Sequence, residues 1–306
     1  MLRFPKIRFL ETVSHPDLNT SMMKNFLSSL VLLLFCAILP AQIVNTTIKV
    51  ADVDQAGLPP AISEVAKIKP PIGSEPSFQS GEELEYSLSL GFITAGKGSI
   101  VVREEMFNGQ KVFHSILSGA TTGMIDGIFK VRDVYESYFR PIDNLPLKAI
   151  RNVREGSYKF YDEQLFYPEA GMLESQKKGK LSIPEKTLDM ASVLYYLRRI
   201  NFEIMSEGDI IYFDTFFSKA LFPFYVIYRG RETVKTSLGT FSCIRLVPVV
   251  EPGRIFKRSD GMNIWLTDDT NKVPVLIQFD VWAGSFKGEL VRYKKLKYPL
   301  TSLKKR

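Results

Sequence analysis

Cysteine and histidine are scarce in this chain, with two of each among 306 residues. Cys243 and His114 are the cysteine and the histidine that lie beyond residue 42. A single cysteine cannot form an internal disulfide, so a disulfide-stapled scaffold is excluded for this part of the chain. One cysteine and one histidine also cannot supply the usual ligand set of a zinc site. We therefore predict no metal site and no cofactor.

Both residues lie in strand-like sequence. Cys243 is part of the apolar run Gly239–Pro248, which predicts a buried, inert thiol. His114 alternates with Phe113 on a predicted strand, and no G-x-S-x-G elbow accompanies it. A Ser-His-Asp triad would have to use His114, so we predict a structural role for this histidine and assign no catalytic residue.

Long apolar runs are also rare, and no span of about 20 residues indicates a polytopic membrane protein. The nearest match lies within Met22–Gln42. Lys24 gives it a positive start, Phe26–Leu39 gives 14 almost uncharged apolar residues, and Ala41 gives a small residue at a cleavage site. We interpret this segment as a secretory signal peptide that is removed together with all of residues 1–41. The sequence thus predicts an exported protein, periplasmic or associated with the outer membrane.

Three alternatives stay open at this end of the chain. A retained membrane anchor needs about 20 apolar residues, and Pro40 would break a helix that extended the run. A lipidated signal places its cysteine after small residues, whereas Cys36 follows a bulky phenylalanine. Translation could start at Met22 or Met23 instead of Met1.

The charge of the chain is mildly basic, with a formal net charge of +7. Residues 1–41 contain four basic and two acidic residues, so their removal leaves +5, with no clustering along the sequence. An exported protein does not meet nucleic acid, so we expect no such partner. The basic run Arg292–Lys297 and the basic tail 301–306 allow a peripheral contact with acidic lipid or polysaccharide. A solvated strand edge that discourages aggregation is the alternative.

The amino-acid composition changes along the rest of the chain and divides it into a linker, a domain and a tail. Residues 42–80 are rich in proline, as in Leu58-Pro-Pro and Lys69-Pro-Pro, and this predicts an extended linker. From Gly81 onward apolar residues recur with a period of two, which predicts a β domain over residues 81–300. The tail 301–306 follows it.

Alternation and turn residues predict the strands. Leu84, Tyr86, Leu88 and Leu90 share one face of the first strand, and Asn108-Gly109 is a favoured hairpin turn. Further strands are predicted over residues 99–103, 111–118, 133–139, 147–153, 157–167, 172–183, 210–217, 221–228, 232–236, 241–250, 262–267, 273–281 and 285–297.

One segment, Thr187–Ile200, has apolar residues at helical spacing. Thr187 is the predicted N-cap, Asp189 suits the positive end of the helix dipole, and Arg198 and Arg199 suit the negative end. A shorter helical turn is predicted over residues 123–129.

These elements predict a mainly β fold: a large curved antiparallel sheet or incomplete barrel with one packed α-helix. Parallel α/β architecture is disfavoured because the connections between strands are too short for crossover helices.

Several of these segments match the signatures of a known family. They are Gly81–Gly96, Asp133–Ser137, Asp189–Arg198, Gly239–Cys243, Ile264–Asp268 and Val273–Leu276. Together they resemble the DUF3108 family over residues 78–299. The resemblance implies an exported β protein of Gram-negative bacteria, located in the periplasm or at the outer membrane. It implies no catalytic residue, because the family has no established activity.

Aromatic residues make up 12% of the chain and are dense over residues 213–228. On the concave side of a curved sheet they would form a groove for an apolar or amphipathic ligand. The candidate ligand-binding residues are Tyr135, Tyr196, Phe224, Trp265 and Trp282. The alternative is that these side chains fill the core. Our hypothesis is a non-enzymatic cell-envelope protein that binds a lipid, a lipoprotein or a polysaccharide.

A carboxylate-dependent envelope hydrolase acting on a glycan is the alternative function. Asp126, Asp133, Glu136, Asp268 and Asp269 offer acid and base groups, although the last two are typical of a solvated turn. Two carboxylates about 5 to 9 Å apart in a deep cleft would favour this chemistry. The sequence favours a non-enzyme without deciding the question, and it predicts no oligomeric state.

Overall fold

One large β-sheet organises the protein. The structure is a computed structural model that describes residues 67–68, 70–217, 220–249, 261–281 and 284–304. The predicted signal peptide, Cys36, most of the predicted linker and Trp282 lie outside the described residues.

The sheet contains sixteen strands, and the described residues also form two α-helices and two 3₁₀ turns. The strands are β1 (Lys67–Ile68), β2 (Glu83–Leu90), β3 (Ile93–Phe107), β4 (Gln110–Thr121), β5 (Arg132–Phe139), β6 (Pro146–Glu155), β7 (Tyr158–Tyr167), β8 (Met172–Ser175), β9 (Gly179–Ser182), β10 (Ile210–Phe217), β11 (Ala220–Thr236), β12 (Gly239–Pro248), β13 (Met262–Thr267), β14 (Pro274–Val281), β15 (Gly284–Lys294) and β16 (Leu303–Lys304). The helices are α1 (Gly123–Ile128) and α2 (Met190–Leu197), and the 3₁₀ turns are Pro168–Ala170 and Phe202–Ile204.

Two antiparallel meanders make up the sheet. Strands β2 to β9 form one and β10 to β15 form the other, and β15 pairs with β2 to join them. β1 pairs with β10 in parallel, and β16 adds to β12. The sheet ends at β1 and β9 and is not closed into a barrel. This confirms the predicted mainly β fold with a large curved sheet.

The predicted packed helix is present as α2, between β5 and β10, but its N-cap residue differs from the predicted one. Asp189 is the N-cap, and its carboxylate accepts hydrogen bonds from the backbone N–H groups of Ala191 and Ser192 at 2.8 and 3.2 Å. The hydroxyl of Thr187 donates instead to the carbonyl of Pro184 at 2.7 Å, so it belongs to the preceding turn. Within the described residues, no helix combines the length and the apolar character needed to cross a membrane.

Two stretches differ from the predicted strands. Residues 172–183 form two short strands, β8 and β9, because a turn interrupts them. Residues 221–228 and 232–236 belong to one strand, β11, whose register shifts between Tyr228 and Arg231. Gly230 has a φ of +76°, which lets the backbone bulge without ending the strand.

The core lies between the sheet and α2. Phe78 is at its centre, with its ring 5.0 Å from that of Phe113, 6.1 Å from Phe139 and 4.5 Å from Tyr195, all edge to face. Such pairs add about 0.5–1.5 kcal/mol beyond the burial of apolar area. A residue from the predicted linker thus anchors the middle of the core.

The end of the predicted linker, residues 70–80, lies along the domain. The backbone N–H of Gly73 donates to the carbonyl of Arg199 at 3.0 Å, and the Arg199 guanidinium donates back to the carbonyl of Gly73. Ile72 forms a β-bridge with Ile200, and the hydroxyl of Ser77 donates to the carbonyl of Arg198 at 2.7 Å. This segment therefore provides partners for the carbonyl groups at the C-terminal end of α2.

A buried ion pair lies beside this contact. Arg198 is fully buried, and its Nη1 and Nη2 are 2.6 and 3.0 Å from the two carboxylate oxygens of Glu82. Its Nε also donates to the carbonyl of Asn271 at 3.2 Å. The carboxylate of Glu82 thereby compensates the buried positive charge of Arg198 at the C-terminal end of α2.

Glu82→Gln is expected to lower the free energy of unfolding by about 3–5 kcal/mol, because it leaves the buried Arg198 charge without a counter-ion. Denaturant unfolding followed by circular dichroism measures this change. Glu75→Gln is the matched control, since Glu75 pairs with Lys297 at the surface and its loss is expected to cost less than about 1 kcal/mol. Equal losses in the two variants would contradict this account.

Candidate functional site

Polar side chains line part of the inner face of the sheet, opposite the N-terminal end of α2. We call this group the inner polar cluster. It consists of Asp133, Tyr135 and Ser137 on β5, Arg151 and Glu155 on β6, Asp162 and Gln164 on β7, Ser175 on β8 and Asp189 at the start of α2. Strand register brings them together, because Tyr135 lies opposite Arg151 and Arg151 lies opposite Asp162.

Asp189 connects this cluster to α2. Besides capping the helix, its carboxylate accepts a hydrogen bond from the hydroxyl of Ser137 at 2.6 Å. Burial raises the pKa of Asp189, and the hydrogen bonds from Ser137, Ser192 and Ala191 oppose that rise. These bonds account for the presence of a carboxyl group at a buried position.

Asp162 has a similar structural environment. Its carboxylate accepts hydrogen bonds from Gln164 Nε2 at 2.9 Å, from Ser175 Oγ at 2.9 Å and from the backbone N–H of Lys177 at 3.0 Å. These contacts hold the turn between β8 and β9 against β7.

The guanidinium of Arg151 lies among aromatic rings. Its central carbon is 4.7 Å from the ring centre of Phe160, 5.0 Å from that of Phe217 and 6.0 Å from that of Tyr135. Cation–π contacts of this kind are worth about 0.5–2 kcal/mol each. They fix Arg151 at the boundary between the polar cluster and the core.

Asp133 and Glu155 form a buried acid pair. Asp133 accepts a hydrogen bond from the backbone N–H of Arg154 at 2.9 Å, and the carboxyl group of Glu155 lies close enough to influence its pKa. Burial raises the pKa of both groups, and the negative charge of Asp133 raises that of Glu155 further. Burial and mutual repulsion therefore favour the protonated form of Glu155, whereas the positive charge of Arg151 opposes this rise in pKa.

A narrow cleft opens between the cluster and α2. Its volume is about 30 Å³, which is room for one or two water molecules. Its lining includes Tyr135, Arg151, Asp189, Met190, Phe216 and Phe217.

The residues predicted to bind a ligand lie in several places. Tyr135 lines the cleft. Tyr196 and Phe224 lie on either side of Phe213, with ring centres 5.3 and 6.3 Å from it, and Phe224 is buried in the core. The indole N–H of Trp265, on β13, donates to Glu232. The structure therefore brings Tyr196 and Phe224 to a common neighbour and places all four of these residues in or against the hydrophobic core.

The carboxylates of the enzymatic alternative are also spread over the sheet, and each has a partner. Asp126 pairs with Arg132, and Asp268 pairs with Arg231. Asp269 accepts hydrogen bonds in its own turn, from the Thr267 hydroxyl and the Asn271 N–H. Glu136 contacts His114.

His114 lies on the outer face of β4. Its Nδ1 is 3.0 Å from Glu105 and its Nε2 is 2.8 Å from Glu136. Its ring stacks on that of Tyr138 with 3.9 Å between the centres. Burial and the charge of Glu136 raise the pKa of Tyr138 to about 12. Both ring nitrogens of the histidine are thus occupied by neighbouring strands.

Cys243 is fully buried on β12, and burial raises the pKa of its thiol to about 12. A thiol of this kind does not ionise near neutral pH. Across the part of the chain that the structure covers, no group of three or more histidine, cysteine, aspartate or glutamate residues is placed to hold a metal ion.

The basic C-terminal run is paired with acidic residues of neighbouring strands. Arg292 contacts Glu85, and Lys294 Nζ is 2.8 Å from Glu83. In the tail, Leu303 and Lys304 form β16 against β12. The charge of this run is therefore largely balanced within the protein.

The sequence profile of the DUF3108 family, described as a protein of unknown function, matches residues 85–291. The chain belongs to the DUF3108 family. This confirms the resemblance that the sequence motifs indicate, and the match spans β2 to β15 together with both α-helices. No curated protein sequence matches the chain.

Three solved structures share 10% sequence identity with this DUF3108 chain. A β-barrel-like DUF1849 protein from Brucella abortus has a TM-score of 0.49, covering 71% of this chain and 98% of its own. A protein from Bacteroides fragilis, described as exported and as having a YmcC-like fold, has a TM-score of 0.29, with 74% and 100% covered. A DUF1089 protein from Pseudomonas aeruginosa has a TM-score of 0.20, with 76% and 98% covered.

Glu155→Gln is expected to flatten the dependence of stability on pH. The pKa of Glu155 in the folded protein lies above its ordinary value of 4.5, so its stabilising proton is fully present below pH 4.5 and is lost as the pH rises towards the folded pKa. The free energy of unfolding should therefore fall with rising pH, by at most about 1.4 kcal/mol per pH unit from this group. Glutamine keeps a donor towards Asp133 and does not titrate.

Denaturant unfolding from about pH 5 to about pH 8 measures the slope. Glu104→Gln is the control, because Glu104 lies at the surface and pairs with Lys111. An unchanged slope in Glu155→Gln would show that the pKa of Glu155 is not raised in the folded protein.

Proposed function

We propose that this protein is a non-enzymatic protein of the cell envelope that binds an apolar or amphipathic molecule, such as a lipid, a lipoprotein or a glycan. The observation that carries the proposal is a group of exposed apolar side chains at one end of the sheet. We call this end the apolar end.

The apolar end combines the β2–β3 turn with α1. Phe92 in the turn is 97% exposed, and Met124 and Ile128 on α1 are 86% and 62% exposed. The two parts are neighbours, because the backbone N–H of Thr122 donates to the carbonyl of Ala95 at 3.1 Å. Grouped exposed apolar side chains are typical of surfaces that contact lipid or a partner.

The interior offers less support for ligand binding. The cleft beside α2 has room for one or two water molecules, whereas an acyl chain needs a much larger cavity. Core aromatic residues such as Phe213 and Phe224 pack against each other. The proposal therefore assigns binding to the apolar end of the sheet.

The hydrolase alternative also has less support. Glycoside chemistry needs two carboxyl groups separated widely enough to admit the scissile bond. Asp133 and Glu155 are both buried and lie close enough for the charge of Asp133 to raise the pKa of Glu155. The adjoining cleft is too narrow for a sugar ring.

Saturable binding of a fluorescent fatty acyl probe tests the proposal. The double variant Phe92→Ser/Met124→Ser is expected to weaken probe binding at least tenfold, because it removes two exposed apolar contacts of about 1.5–3 kcal/mol each when buried. Met106→Ser/Ile142→Ser is the matched control, since both residues are exposed at the opposite end of the sheet. Absence of saturable probe binding to the unaltered protein would overturn the proposal. An equal loss of probe binding in both double variants would show that the binding site does not lie at the apolar end.

Export belongs to the same proposal and has its own test. We expect the mature protein to begin at Gln42, because Ala41 provides the small residue that signal peptidase requires. Intact-mass measurement of the protein from a periplasmic or outer-membrane fraction identifies the first residue of the mature chain. A mass that includes residues 22–41 would indicate a retained anchor, and recovery only from the cytosol would contradict export.

A further inference from the structure

A second surface feature lies next to the apolar end, on the outer face of β5, β6 and β7. Arg154 is directly opposite Lys159 across β6 and β7. The pairing of β5 with β6 continues to a bridge between Val131 and Glu155, which places Arg132 level with Arg154. Three basic side chains therefore stand side by side on adjacent strands.

A fourth cation completes this group. Lys130 precedes β5, and its carbonyl accepts a hydrogen bond from the backbone N–H of Gly156 at 2.8 Å. Lys130, Arg132, Arg154, Lys159 and Gly156 line an open concavity of about 390 Å³. We call it the basic concavity. Its volume is more than ten times that of the cleft beside α2.

The basic concavity keeps most of its charge. Within the described parts of the chain, the ion pair found here is that of Arg132 with Asp126, at 2.6 and 3.0 Å. The other nearby carboxyls, Asp133 and Glu155, are buried on the opposite face of the sheet. Like charges directly opposite each other on neighbouring strands destabilise a sheet. A bound anion would remove this repulsion.

Asp126 also fixes the position of α1 beside the concavity. Its carboxylate accepts a hydrogen bond from the hydroxyl of Thr121 at 2.7 Å while it pairs with Arg132. The exposed side chains of Met124 and Ile128 are therefore carried by a helix that is tied to the basic group. Neighbouring cationic and apolar side chains are the combination that binds an anionic membrane interface.

We propose that the basic concavity and α1 together form a docking surface for an anionic lipid bilayer. Headgroup phosphates would be bound by Lys130, Arg154 and Lys159, and Met124 and Ile128 would enter the boundary between headgroups and acyl chains. A small soluble anion would use the charges but would leave the apolar side chains in water. This inference rests on the proposed function and specifies its partner and the surface involved.

Sedimentation with lipid vesicles tests the inference, using the full chain and vesicles of phosphatidylcholine alone or mixed with phosphatidylglycerol. The unaltered protein is expected to bind the mixed vesicles preferentially, and high salt is expected to weaken that binding. Arg154→Glu/Lys159→Glu should weaken it at least tenfold. The same pair of changes should leave the unfolding temperature unchanged or raised, because the charges at positions 154 and 159 stay alike while the repulsion between Arg132 and position 154 becomes attraction.

The control for charge is Arg229→Glu/Lys235→Glu, which makes the same change in net charge at exposed positions of β11. It is expected to change binding less than about twofold, because these residues lie away from the proposed surface. Met124→Ser/Ile128→Ser should weaken vesicle binding, whereas Ile142→Ser/Ile204→Ser at the opposite end should not. All variants contain the same N-terminal residues, so any contribution of these residues to vesicle binding is the same in every variant and cancels in the comparison.

The outcomes separate the two proposals. Equal loss in the two charge variants would overturn the inference. Equal binding to both vesicle types would also overturn it, while leaving binding of an amphipathic molecule intact. A third outcome is that the unaltered protein binds inorganic phosphate or an acidic polysaccharide but does not bind vesicles, and that Arg154→Glu/Lys159→Glu abolishes this binding. That outcome would assign the concavity to a soluble anion or a glycan and would overturn the bilayer assignment. Absence of both vesicle and acyl-probe binding would contradict the proposed function itself.

Discussion

The burial of one positive charge constrains the whole architecture. Arg198 lies at the C-terminal end of α2, and its guanidinium is held by Glu82 at the start of β2 and by the carbonyl of Asn271 between β13 and β14. A buried charge without partners costs several kcal/mol, so the helix and both meanders have to assemble around it. The ring of Phe78 lies 5.3 Å from the same guanidinium, which connects the ion pair to the centre of the core. Removal of Glu82 would leave the buried charge of Arg198 without its counter-ion.

The period-two pattern was enough to predict the fold, because alternate burial is a local property of each strand. Period two predicts β2 from Leu84 and its partners, whereas apolar residues at helical spacing predict the position of α2. The cap of α2 could not be predicted as well, since Thr187 and Asp189 are both good N-cap residues. Asp189 also accepts a hydrogen bond from Ser137 of β5, a contact between segments distant in sequence that no local pattern reveals.

The inner polar cluster was largely missed, because its members are distant in sequence. Arg151 and Glu155 alternate with Asn152 and Arg154, so the sequence of β6 alone does not tell which set faces inward. Only the register with β5 and β7 places Arg151 between Tyr135 and Asp162. Residue type alone indicates the candidate ligand-binding aromatic residues, whereas packing in the core sets their positions.

For the charged residues too, spacing along the sequence differs from neighbourhood in the folded protein. Arg292, Lys294 and Lys297 lie close together in the sequence, yet their side chains pair with Glu85, Glu83 and Glu75 on neighbouring segments. Arg132 and Arg154 look isolated in the sequence, and the strand register brings them together.

The pairing of β15 with β2 has a consequence for how the protein is made. It brings together residues as far apart as Glu85 and Arg292, which are separated by 207 positions. Until the C-terminal strand has emerged, β2 presents an open hydrogen-bonding edge, and such edges recruit strands from other molecules. Long-range closure of this kind is slow. A chain truncated before β15 would therefore leave the edge of β2 open to pairing with strands of other molecules.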